Sequence, residues 1–368
     1  MHVVGLTLRD FRCYGDAHVA FGDGLTVISG PNGAGKTNVL EGLYFGCTGR
    51  SCRTTNDREL VRFGAPGART EIVCSDDAGM HRLTVGFIPG EPKRMTVDEA
   101  AVERLLDSPH RPLVSVFLPD RLELIKGAPA VRRAHLDRFI AALWPARAAT
   151  RRAYAQTLAQ RNALLSRIRA GHASPESLSG WDVQLALHGF ALMEDRERSA
   201  RALSEPFAQI GQRLGVGDAL RVSYRPRSRA GDPQALADEL SARVKSDLER
   251  GFTGHGPHRD ELSILREERE LRVYGSQGQQ RVALLALLLA EREVIAATRS
   301  ASPLMLLDDV MSELDGARRH ALVALLQERA AQALITTTDI DQVPDLDDLD
   351  ASHVRVAAGE IVQEALVG

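Results

Sequence analysis

The spacing of apolar residues divides this 368-residue chain into two kinds of segment. Residues 1–127 and 251–368 alternate short apolar runs, typical of buried strands, with helix-like stretches, whereas 128–250 is poorer in glycine and follows a helical period. Apolar residues in that middle segment recur at steps of three and four, at Leu136, Phe139, Ile140 and Leu143. The pattern predicts the α/β class, with one discontinuous lobe formed by 1–127 and 251–368 and a helical lobe, 128–250, inserted into it.

Three interruptions divide the middle segment into several helices. Pro145, the stretch Gly171–Gly180 and Pro206 are each expected to end a helix, because proline lacks the N–H that a helix interior needs and glycine disfavours helical order. No heptad is sustained over this segment, so we expect a compact helical lobe and not a long coiled-coil arm.

A glycine-rich segment, Gly30–Thr37, follows the apolar run Leu25–Ile28 directly and precedes a helix-like stretch, Asn38–Phe45. It has the G-x-x-x-x-G-K-T pattern of a P-loop, which cradles nucleotide phosphates between a strand and a helix. Glycines let backbone N–H groups face an anion, and the helix start adds its positive dipole end. A glycine-rich turn that binds nothing is the alternative interpretation.

The residue types of the P-loop assign individual roles. Lys36 is expected to neutralise the β- and γ-phosphates, and Thr37 to hold Mg²⁺ through its hydroxyl. A side chain at Gly33 or Gly35 is expected to collide with the phosphate. The predicted nucleotide contacts are Gly30, Pro31, Asn32, Gly33, Ala34, Gly35, Lys36, Thr37 and Asn38.

The apolar run Pro303–Leu307 ends in two carboxylates, Asp308 and Asp309. We expect this strand beside the one that feeds the P-loop, so that Asp308 faces Mg²⁺ through water. Asp309 is then the candidate to orient or deprotonate the attacking water. The predicted catalytic residues are Lys36, Asp308 and Asp309, and the predicted metal contacts are Thr37 and Asp308. A strand end followed by a helix cap is the alternative interpretation of the aspartate pair.

A second anion-receptive helix start lies at Tyr274–Arg281, just before the apolar helical stretch Val282–Thr298. The Ser276 hydroxyl, the Gly278 N–H and the helix dipole suit a phosphate, with Gln279 beside them. Since one chain already carries a phosphate cradle, a second is useful only if it closes over the nucleotide of another subunit. This predicts an ATP-dependent homodimer, and the alternative is that Ser276 is an ordinary helix N-cap.

In their order along the chain, these segments resemble the ABC-type ATPases of DNA repair and chromosome maintenance, and the likeness covers nearly the whole chain. The segments that carry it are Phe11–Tyr14, Gly30–Glu41, Phe117–Asp120, Ile125–Gly127, Arg132–Arg133, Gly256–Asp260, Ser276–Gln280, Leu307–Asp315 and Thr336–Asp339. The resemblance implies an ABC-type P-loop ATPase head with an inserted helical lobe, ATP and Mg²⁺ as cofactors, and Arg12 as a further nucleotide contact.

The same resemblance implies a function. An ATP-closed dimer would grip DNA and release it after slow hydrolysis, with the motif Ser312–Asp315 lining the dimer seam. For the bacterial recombination members of the family it further implies gapped or junction DNA as the target, and cooperation with RecO and RecR in loading RecA.

Three positions depart from the general pattern of ABC-type ATPases. Asp309 stands where most members have glutamate, and its shorter reach predicts slow turnover. Thr338 stands where many have a switch histidine, so the hydroxyl of Thr337 or Thr338, or another group, is expected to sense the γ-phosphate. The glutamine that usually adds a metal contact has no clear counterpart, although Asp120 lies near its place.

Net charge is only −3, but its distribution indicates a nucleic-acid surface. From Lys126 to His172 ten Lys and Arg residues stand against one acid, Asp137, which leaves the remaining chain at −12. The predicted DNA contacts are Lys126, Arg132, Arg133, Arg151, Arg152 and Arg161. For any single arginine a solvated helix face is the alternative. The acidic run from Asp341 to Asp350 is most simply a solvated loop.

Neither a secretory signal nor a membrane span is predicted. The first ten residues hold Arg9 and Asp10 and no apolar stretch, and the longest apolar run, Val282–Ala290, is too short for a bilayer. Four cysteines without a C-x-x-C pair indicate reduced thiols, so we expect a cytoplasmic protein without a membrane partner. His255 and His258 lack a third metal ligand, and a structural or DNA-facing role is expected for them.

Two other function classes share part of this pattern. The nucleotide-binding subunit of an ABC transporter would carry the P-loop, the signature and the carboxylates, but it should have a switch histidine and would not need a basic helical insert. A nucleotide-gated structural clamp with negligible hydrolysis would share every feature.

Overall fold

The fold is that of a computed structural model, which describes residues 1–119, 122–217, 220–299, 301–328, 331–346, 349 and 351–363. Asp120 and three residues of the acidic run, Asp347, Asp348 and Asp350, lie outside the described residues. The strands are β1 (His2–Phe11), β2 (Tyr14–Ala20), β3 (Leu25–Ser29), β4 (Ala68–Asp76), β5 (Gly79–Phe87), β6 (Arg94–Val97), β7 (Ala100–Ala101), β8 (Val114–Phe117), β9 (Leu220–Arg225), β10 (Glu261–Arg266), β11 (Arg269–Glu270), β12 (Leu304–Leu307), β13 (Ala333–Thr337), β14 (Ala351–Ala357) and β15 (Glu360–Gln363). The helices are α1 (Lys36–Thr48), α2 (Glu123–Lys126), α3 (Pro129–Leu143), α4 (Ala148–Arg169), α5 (Ser179–Arg213), α6 (Pro233–Ser241), α7 (Val244–Arg250), α8 (Leu271–Tyr274), α9 (Gln277–Arg299) and α10 (Gly316–Gln327).

The chain folds as two units. The first unit comprises Met1–Arg121, Arg213–Gly215 and Ile295–Gly368, and the second comprises Leu122–Gln212 and Val216–Val294. The discontinuity matches the sequence pattern, but the second unit is larger than the predicted insert 128–250. It includes residues 251–294 because β10 pairs antiparallel with β9, which lies inside that insert. The signature segment Ser276–Gln280 therefore belongs to the second unit.

A mostly parallel sheet of the first unit carries the P-loop. Its strand order is β15-β14-β3-β13-β12-β8 in the described residues, and only β15 runs antiparallel. The expectation that the carboxylate strand lies beside β3 is wrong, because β13 lies between β3 and β12. Ile335 of β13 is in register with Val27 on one side and with Leu307 on the other. Because β13 lies between β3 and β12, its side chains can contact residues at the ends of both neighbouring strands.

The helix that follows the P-loop is anchored by small residues. Gly42 and Gly46 of α1 face the antiparallel sheet β2-β1-β4-β5-β6-β7 so closely that an added Cβ would lie 2.6 Å from a Leu8 methyl and 2.4 Å from Ile72 Cγ1. Phe45 of α1 lies 5.9 Å, centroid to centroid, from the ring of Phe11. This packing holds α1, the helix that follows the P-loop, against the antiparallel sheet.

The second unit combines helices with a three-stranded sheet, β11-β10-β9. The predicted breaks near Pro145 and at 171–180 are confirmed, since α3 ends at Leu143 and α4 ends at Arg169. The break predicted at Pro206 is wrong, because α5 continues through it. Proline removes the bond to the Ala202 carbonyl, but Ala202 is exposed to solvent, while Leu203 and Phe207 pack in the interior. No helix within the described ranges combines the length and apolar character needed to cross a bilayer.

Candidate functional site

The backbone of the P-loop explains its glycines. Gly30, Gly33 and Gly35 have φ angles of 156°, 78° and 117°, which other residues rarely adopt. A Cβ would lie 2.1 Å from the Val356 carbonyl oxygen at Gly30 and 2.7 Å from the Tyr14 hydroxyl at Gly35. At Gly33 an added Cβ meets no protein atom within 4 Å, so its φ alone requires glycine there. The crowding at Gly35 thus comes first from the protein itself.

Hydrogen bonds from other segments of the chain hold two carbonyls of the P-loop in place. The Tyr14 hydroxyl donates to the Gly35 carbonyl at 3.0 Å, and the Gly359 N–H donates to the Ala34 carbonyl at 3.0 Å. In the described part of the chain, the N–H groups of Gly33 and Gly35 have no protein acceptor. Such N–H groups at the start of a helix form an anion site.

Lys36 lies curled within the loop. Its Nζ donates to the carbonyl of Gly30 at 2.8 Å and to that of Pro31 at 3.0 Å. Burial lowers the pKa of Lys36, while Asp309 and Asp308 oppose that shift. The ammonium group is thus held by carbonyls of the P-loop itself.

The P-loop and the carboxylate strand meet through Thr37. Its hydroxyl oxygen lies 2.9 and 3.0 Å from the two carboxylate oxygens of Asp308, although the two residues are 271 positions apart. The Thr336 hydroxyl donates to Asp308 at 2.7 Å and accepts the Asp309 N–H at 2.9 Å. Burial raises the pKa of Asp308, while the hydroxyl donors Thr336 and Thr37 lower it. Thr336 on β13 therefore organises both aspartates.

Asp309 is held in an unusual conformation. Its φ is 44°, a left-handed value that is uncommon for a residue with a side chain and tends to occur at functional sites. One carboxylate oxygen, Oδ2, accepts from the Ser312 hydroxyl at 2.9 Å. The other, Oδ1, is buried and has no partner in the described residues. An unpartnered carboxylate oxygen is the kind of group that binds a water molecule.

These residues fit Mg²⁺. The donor set of Thr37 hydroxyl and Asp308 carboxylate is all oxygen, which suits a hard divalent cation. The two groups lie within hydrogen-bond distance of each other, so both would be available to one ion. Asp309 Oδ1 adds a buried oxygen to which no group of the described residues donates.

Arg12 lies in a charged cluster behind the loop. Its guanidinium group makes a bidentate pair with Glu41, with both N–O distances 2.8 Å, and donates to the Glu59 carbonyl at 2.7 Å. Arg53 shares the buried Glu41 at 3.3 Å and donates to Asn38 Oδ1 at 3.0 Å. Glu41 and Arg53 thus link Arg12 to Asn38, the two predicted nucleotide contacts, through ion pairs and hydrogen bonds. The sequence analysis assigned no role to Glu41 or Arg53.

The signature segment begins α9 with a reciprocal cap. The Ser276 N–H donates to Gln279 Oε1 at 2.9 Å, and the Gln279 N–H donates to the Ser276 hydroxyl oxygen at 3.3 Å. This is a capping box, the alternative that the sequence left open. Ser276 and Gly278 are nevertheless exposed, and the hydroxyl hydrogen and the Gly278 N–H remain available to an anion.

Known proteins resemble the chain over its length. A family described as an AAA domain matches residues 5–91. "DNA replication and repair protein RecF" of Herpetosiphon aurantiacus is 35% identical, with 93% of this chain and 94% of the relative covered. The RecF of Myxococcus xanthus is 37% identical over 92% of this chain and 91% of its own. The chain belongs to the RecF family.

Solved structures support the assignment of the chain to this family. A recombination mediator RecF with ATP, of the RecFOR pathway, superposes with a TM-score of 0.86 at 27% identity, covering 99% of this chain and 98% of that one. An Smc head bound to the C-terminal winged-helix domain of ScpA superposes with a TM-score of 0.62 at 17% identity, covering 100% of this chain and 98% of that one, which shows the ABC-type fold alone. The predicted fold class is therefore confirmed for this RecF-family chain.

The predicted DNA contacts divide into exposed and buried residues. Lys126, Arg151 and Arg152 are exposed, although Arg151 Nε lies 3.2 Å from an Asp137 oxygen. Arg133 is half-buried and donates to the Asp260 carbonyl at 2.7 Å. The four residues are placed on α2, α3 and α4 of the second unit.

Two of the predicted contacts are wrong, because they are internal cations. Arg161 is fully buried and bonds Asp182 at 2.6 Å and Asp247 at 2.7 Å. Arg132 is 3% exposed and bonds Glu261 and the Leu262 carbonyl, both at 2.5 Å. Buried charges need such partners, and their counter-ions lie far away in sequence, so a local count of charge cannot reveal them.

The two histidines of the Gly256–Asp260 region bind protein groups. His255 Nε2 lies 2.5 Å from Glu239. His258 lies between the Tyr154 hydroxyl, 2.7 Å from Nδ1, and the Thr253 carbonyl, 2.9 Å from Nε2. These contacts support the structural role.

The hydroxyls at the switch position differ in their surroundings. Thr337 donates to the Asp339 carbonyl at 2.8 Å, while Thr338 is exposed. Thr336, one residue earlier, is the hydroxyl that touches Asp308. The run of three threonines was visible in the sequence, but alternation along β13 decides which one faces the carboxylates.

Proposed function

We propose that this protein is an ATP-dependent DNA-binding protein of recombinational repair and replication restart. The observation that carries the proposal is the contact of Thr37 with Asp308 in a RecF-family chain, because it joins the phosphate loop to the metal-facing carboxylate. RecF relatives are named for DNA replication and repair, and the similar solved RecF contains ATP.

Four residues of the first unit have a role in ATP hydrolysis: Lys36, Thr37, Asp308 and Asp309. Lys36 exchanges its bonds to the Gly30 and Pro31 carbonyls for the β- and γ-phosphates. Thr37 and Asp308 hold Mg²⁺, which when bound neutralises the charge that develops on the phosphates. Asp309 orients the attacking water through Oδ1 and accepts its proton. The short side chain of Asp309 makes hydrolysis slow, so ATP acts as a timer.

The second unit contributes the signature to the ATP site of a second subunit. In this homodimer the exposed Ser276 and the Gly278 N–H bind the γ-phosphate held by the other chain's P-loop, and Gln279 keeps Ser276 in place. ATP thus closes the dimer, and hydrolysis opens it. Arg12 completes the nucleotide contacts and is kept in position by Glu41.

DNA is gripped in the closed state and released after hydrolysis. Lys126, Arg133, Arg151 and Arg152 supply phosphate contacts that do not depend on base sequence. The RecFOR pathway of the similar solved structure supports RecO and RecR as partners, with RecA loading as the outcome on gapped or junction DNA. Bacterial DNA repair takes place in the cytoplasm, so the same proposal places the protein there.

Measurement of the steady-state ATPase rate with and without duplex DNA tests this function. We expect a slow rate that DNA raises. A rate that is indifferent to DNA would contradict the coupling, as expected of a transporter-type subunit. ATP binding without turnover in either condition would favour the non-hydrolysing clamp that the aspartate at position 309 also permits.

A further inference from the structure

A cleft lined by arginines lies within the second unit, apart from the residues assigned above to ATP. It consists of two adjoining cavities of about 330 and 430 Å³, which share Arg227, Arg250 and Gly254. We call it the arginine cleft and define it by Arg227, Arg243, Arg250, Phe252 and Arg259. A volume of this size suits one nucleotide unit.

Few acidic groups face the arginines of the cleft, although Arg243 donates to the main-chain carbonyl of Glu239 at 2.8 Å and lies near its carboxylate. All four arginines are exposed, and none of them forms an ion pair within the described ranges. Asp247 is the acidic residue of the lining, and its oxygens are already engaged by Arg161 at 2.7 Å and by the Gly254 N–H at 2.9 Å. Four exposed guanidinium groups around one concavity, without an ion pair among the described residues, favour the binding of an anion.

The fold places these arginines close to one another. Arg243 and Arg250 are seven residues apart along α7 and its N-cap, which puts them on the same helix face. The Arg227 N–H donates to Asp260 Oδ1 at 2.7 Å, which ties the loop after β9 to the Gly256–Asp260 turn. Asp260 also accepts from Tyr224 and Arg196, so several hydrogen bonds hold the turn that carries Arg259.

The cleft also contains an exposed aromatic ring. Phe252 follows the left-handed Gly251 that ends α7 and remains 41% exposed. The Arg259 guanidinium carbon lies 5.3 Å from its ring centroid. Arginine beside an exposed aromatic face is the combination that binds unpaired bases by stacking and their phosphates by charge.

We propose that the arginine cleft binds a nucleotide unit of single-stranded DNA, with the phosphodiester on Arg227, Arg243 and Arg250 and the base on Phe252. This inference rests on the proposed DNA-binding function and adds a strand-specific site to it. A duplex keeps its bases stacked within the helix, so the aromatic contact selects single-stranded segments such as those of gapped DNA.

The test is binding of fluorescent 20-nucleotide oligo(dT), and of an abasic strand of the same length, by the full chain with ATP and Mg²⁺. Phe252→Ala should weaken oligo(dT) binding about tenfold and leave the abasic strand unchanged, since it removes only stacking. Phe252→Trp should restore oligo(dT) binding. Arg227→Gln combined with Arg250→Gln should weaken both strands and reduce the slope of log affinity against log salt by about 1 to 1.5.

Arg201→Gln serves as the matched control, because Arg201 is an exposed arginine of α5 outside the cleft. If all cleft variants bind oligo(dT) like the control, the cleft is not the site, although the DNA-binding function stands. If the unaltered chain binds no DNA with ATP, the function itself fails and the inference with it. If the variants lose only binding of inorganic phosphate or dAMP, the cleft is a free-nucleotide site and the proposal is overturned. Unchanged ATPase rates in the absence of DNA verify that the variants are folded.

Discussion

At the scale of single residues, Thr336 connects the parts of the ATP site. Its hydroxyl donates to the carboxylate of Asp308, which is proposed to hold the metal, and accepts the backbone N–H of Asp309, which is proposed to orient the water. Asp309 in turn keeps one oxygen partnered by Ser312 and one free. The two neighbouring carboxylates thus have different hydrogen-bond partners, and these different surroundings suit them to different chemical roles.

Asp309→Asn is predicted to slow hydrolysis about a hundredfold and to leave ATP affinity unchanged. The amide keeps the size and the Ser312 contact, but it cannot take the proton of the attacking water. Single-turnover hydrolysis and equilibrium ATP binding measure the two effects separately. Turnover at the unaltered rate would show that another group is the base.

His258 predicts a dependence of stability on pH. Burial lowers the pKa of His258 to about 4, and the nearby Arg259 and Arg133 charges act in the same direction. The unfolded chain, with an ordinary histidine pKa of about 6.5, takes up the proton first as pH falls. The stabilisation is therefore present above pH 6.5 and is lost towards pH 4, by about 2 kcal/mol between pH 7.5 and 5.

Urea unfolding at pH 7.5 and 5 checks this prediction. The unaltered chain should lose about 2 kcal/mol more of its unfolding free energy than His258→Gln, whose side chain does not titrate. Equal losses in both proteins would mean that His258 is protonated in the folded state as readily as in the unfolded one.

At the scale of elements, the start of α9 serves two purposes. Ser276 and Gln279 cap the helix reciprocally, and the same arrangement leaves the Ser276 side chain exposed at a positive dipole end. A cap that satisfies its own backbone and still presents a hydroxyl to solvent is compatible with a phosphate from another subunit.

Ser276→Arg is predicted to abolish ATP-driven dimerisation while each chain still binds ATP through its own P-loop. The bulky side chain would fill the space that the γ-phosphate of the other subunit needs. Ser276→Thr keeps the cap and the hydroxyl, so it should dimerise normally and separates this effect from the loss of a cap, which costs about 1 kcal/mol. Sedimentation velocity with ATP measures dimerisation. A dimer formed by Ser276→Arg would contradict the proposal that Ser276 completes the ATP site of the other subunit.

Elements that depend on local pattern could be predicted from the sequence, whereas those that depend on distant partners could not. The P-loop and its helix follow from adjacent glycines and apolar residues, and Thr37 does meet Asp308. The place of β13 beside β3 depends on pairing between distant strands. Arg161 looked like a surface cation because Asp182 and Asp247, which neutralise it, are 21 and 86 residues away. Pro206 is accommodated because its helix is anchored by packing on the opposite face.

At the scale of the whole molecule, ATP chemistry and nucleic-acid contacts are assigned to different units. The P-loop and both aspartates belong to the first unit, while the signature, the exposed arginines of α4 and the arginine cleft belong to the second. In the proposed function, ATP therefore acts on DNA affinity through the association of chains, because the residues proposed to bind ATP are not those proposed to contact DNA.

The most direct test of this account is the affinity for gapped DNA with and without ATP and Mg²⁺, measured at constant salt. We predict at least tenfold tighter binding with ATP, and no such gain in Lys36→Met, which lacks the charge that meets the terminal phosphates. Equal affinity in the presence and absence of ATP would contradict the account, because DNA would then be held without the nucleotide-closed dimer.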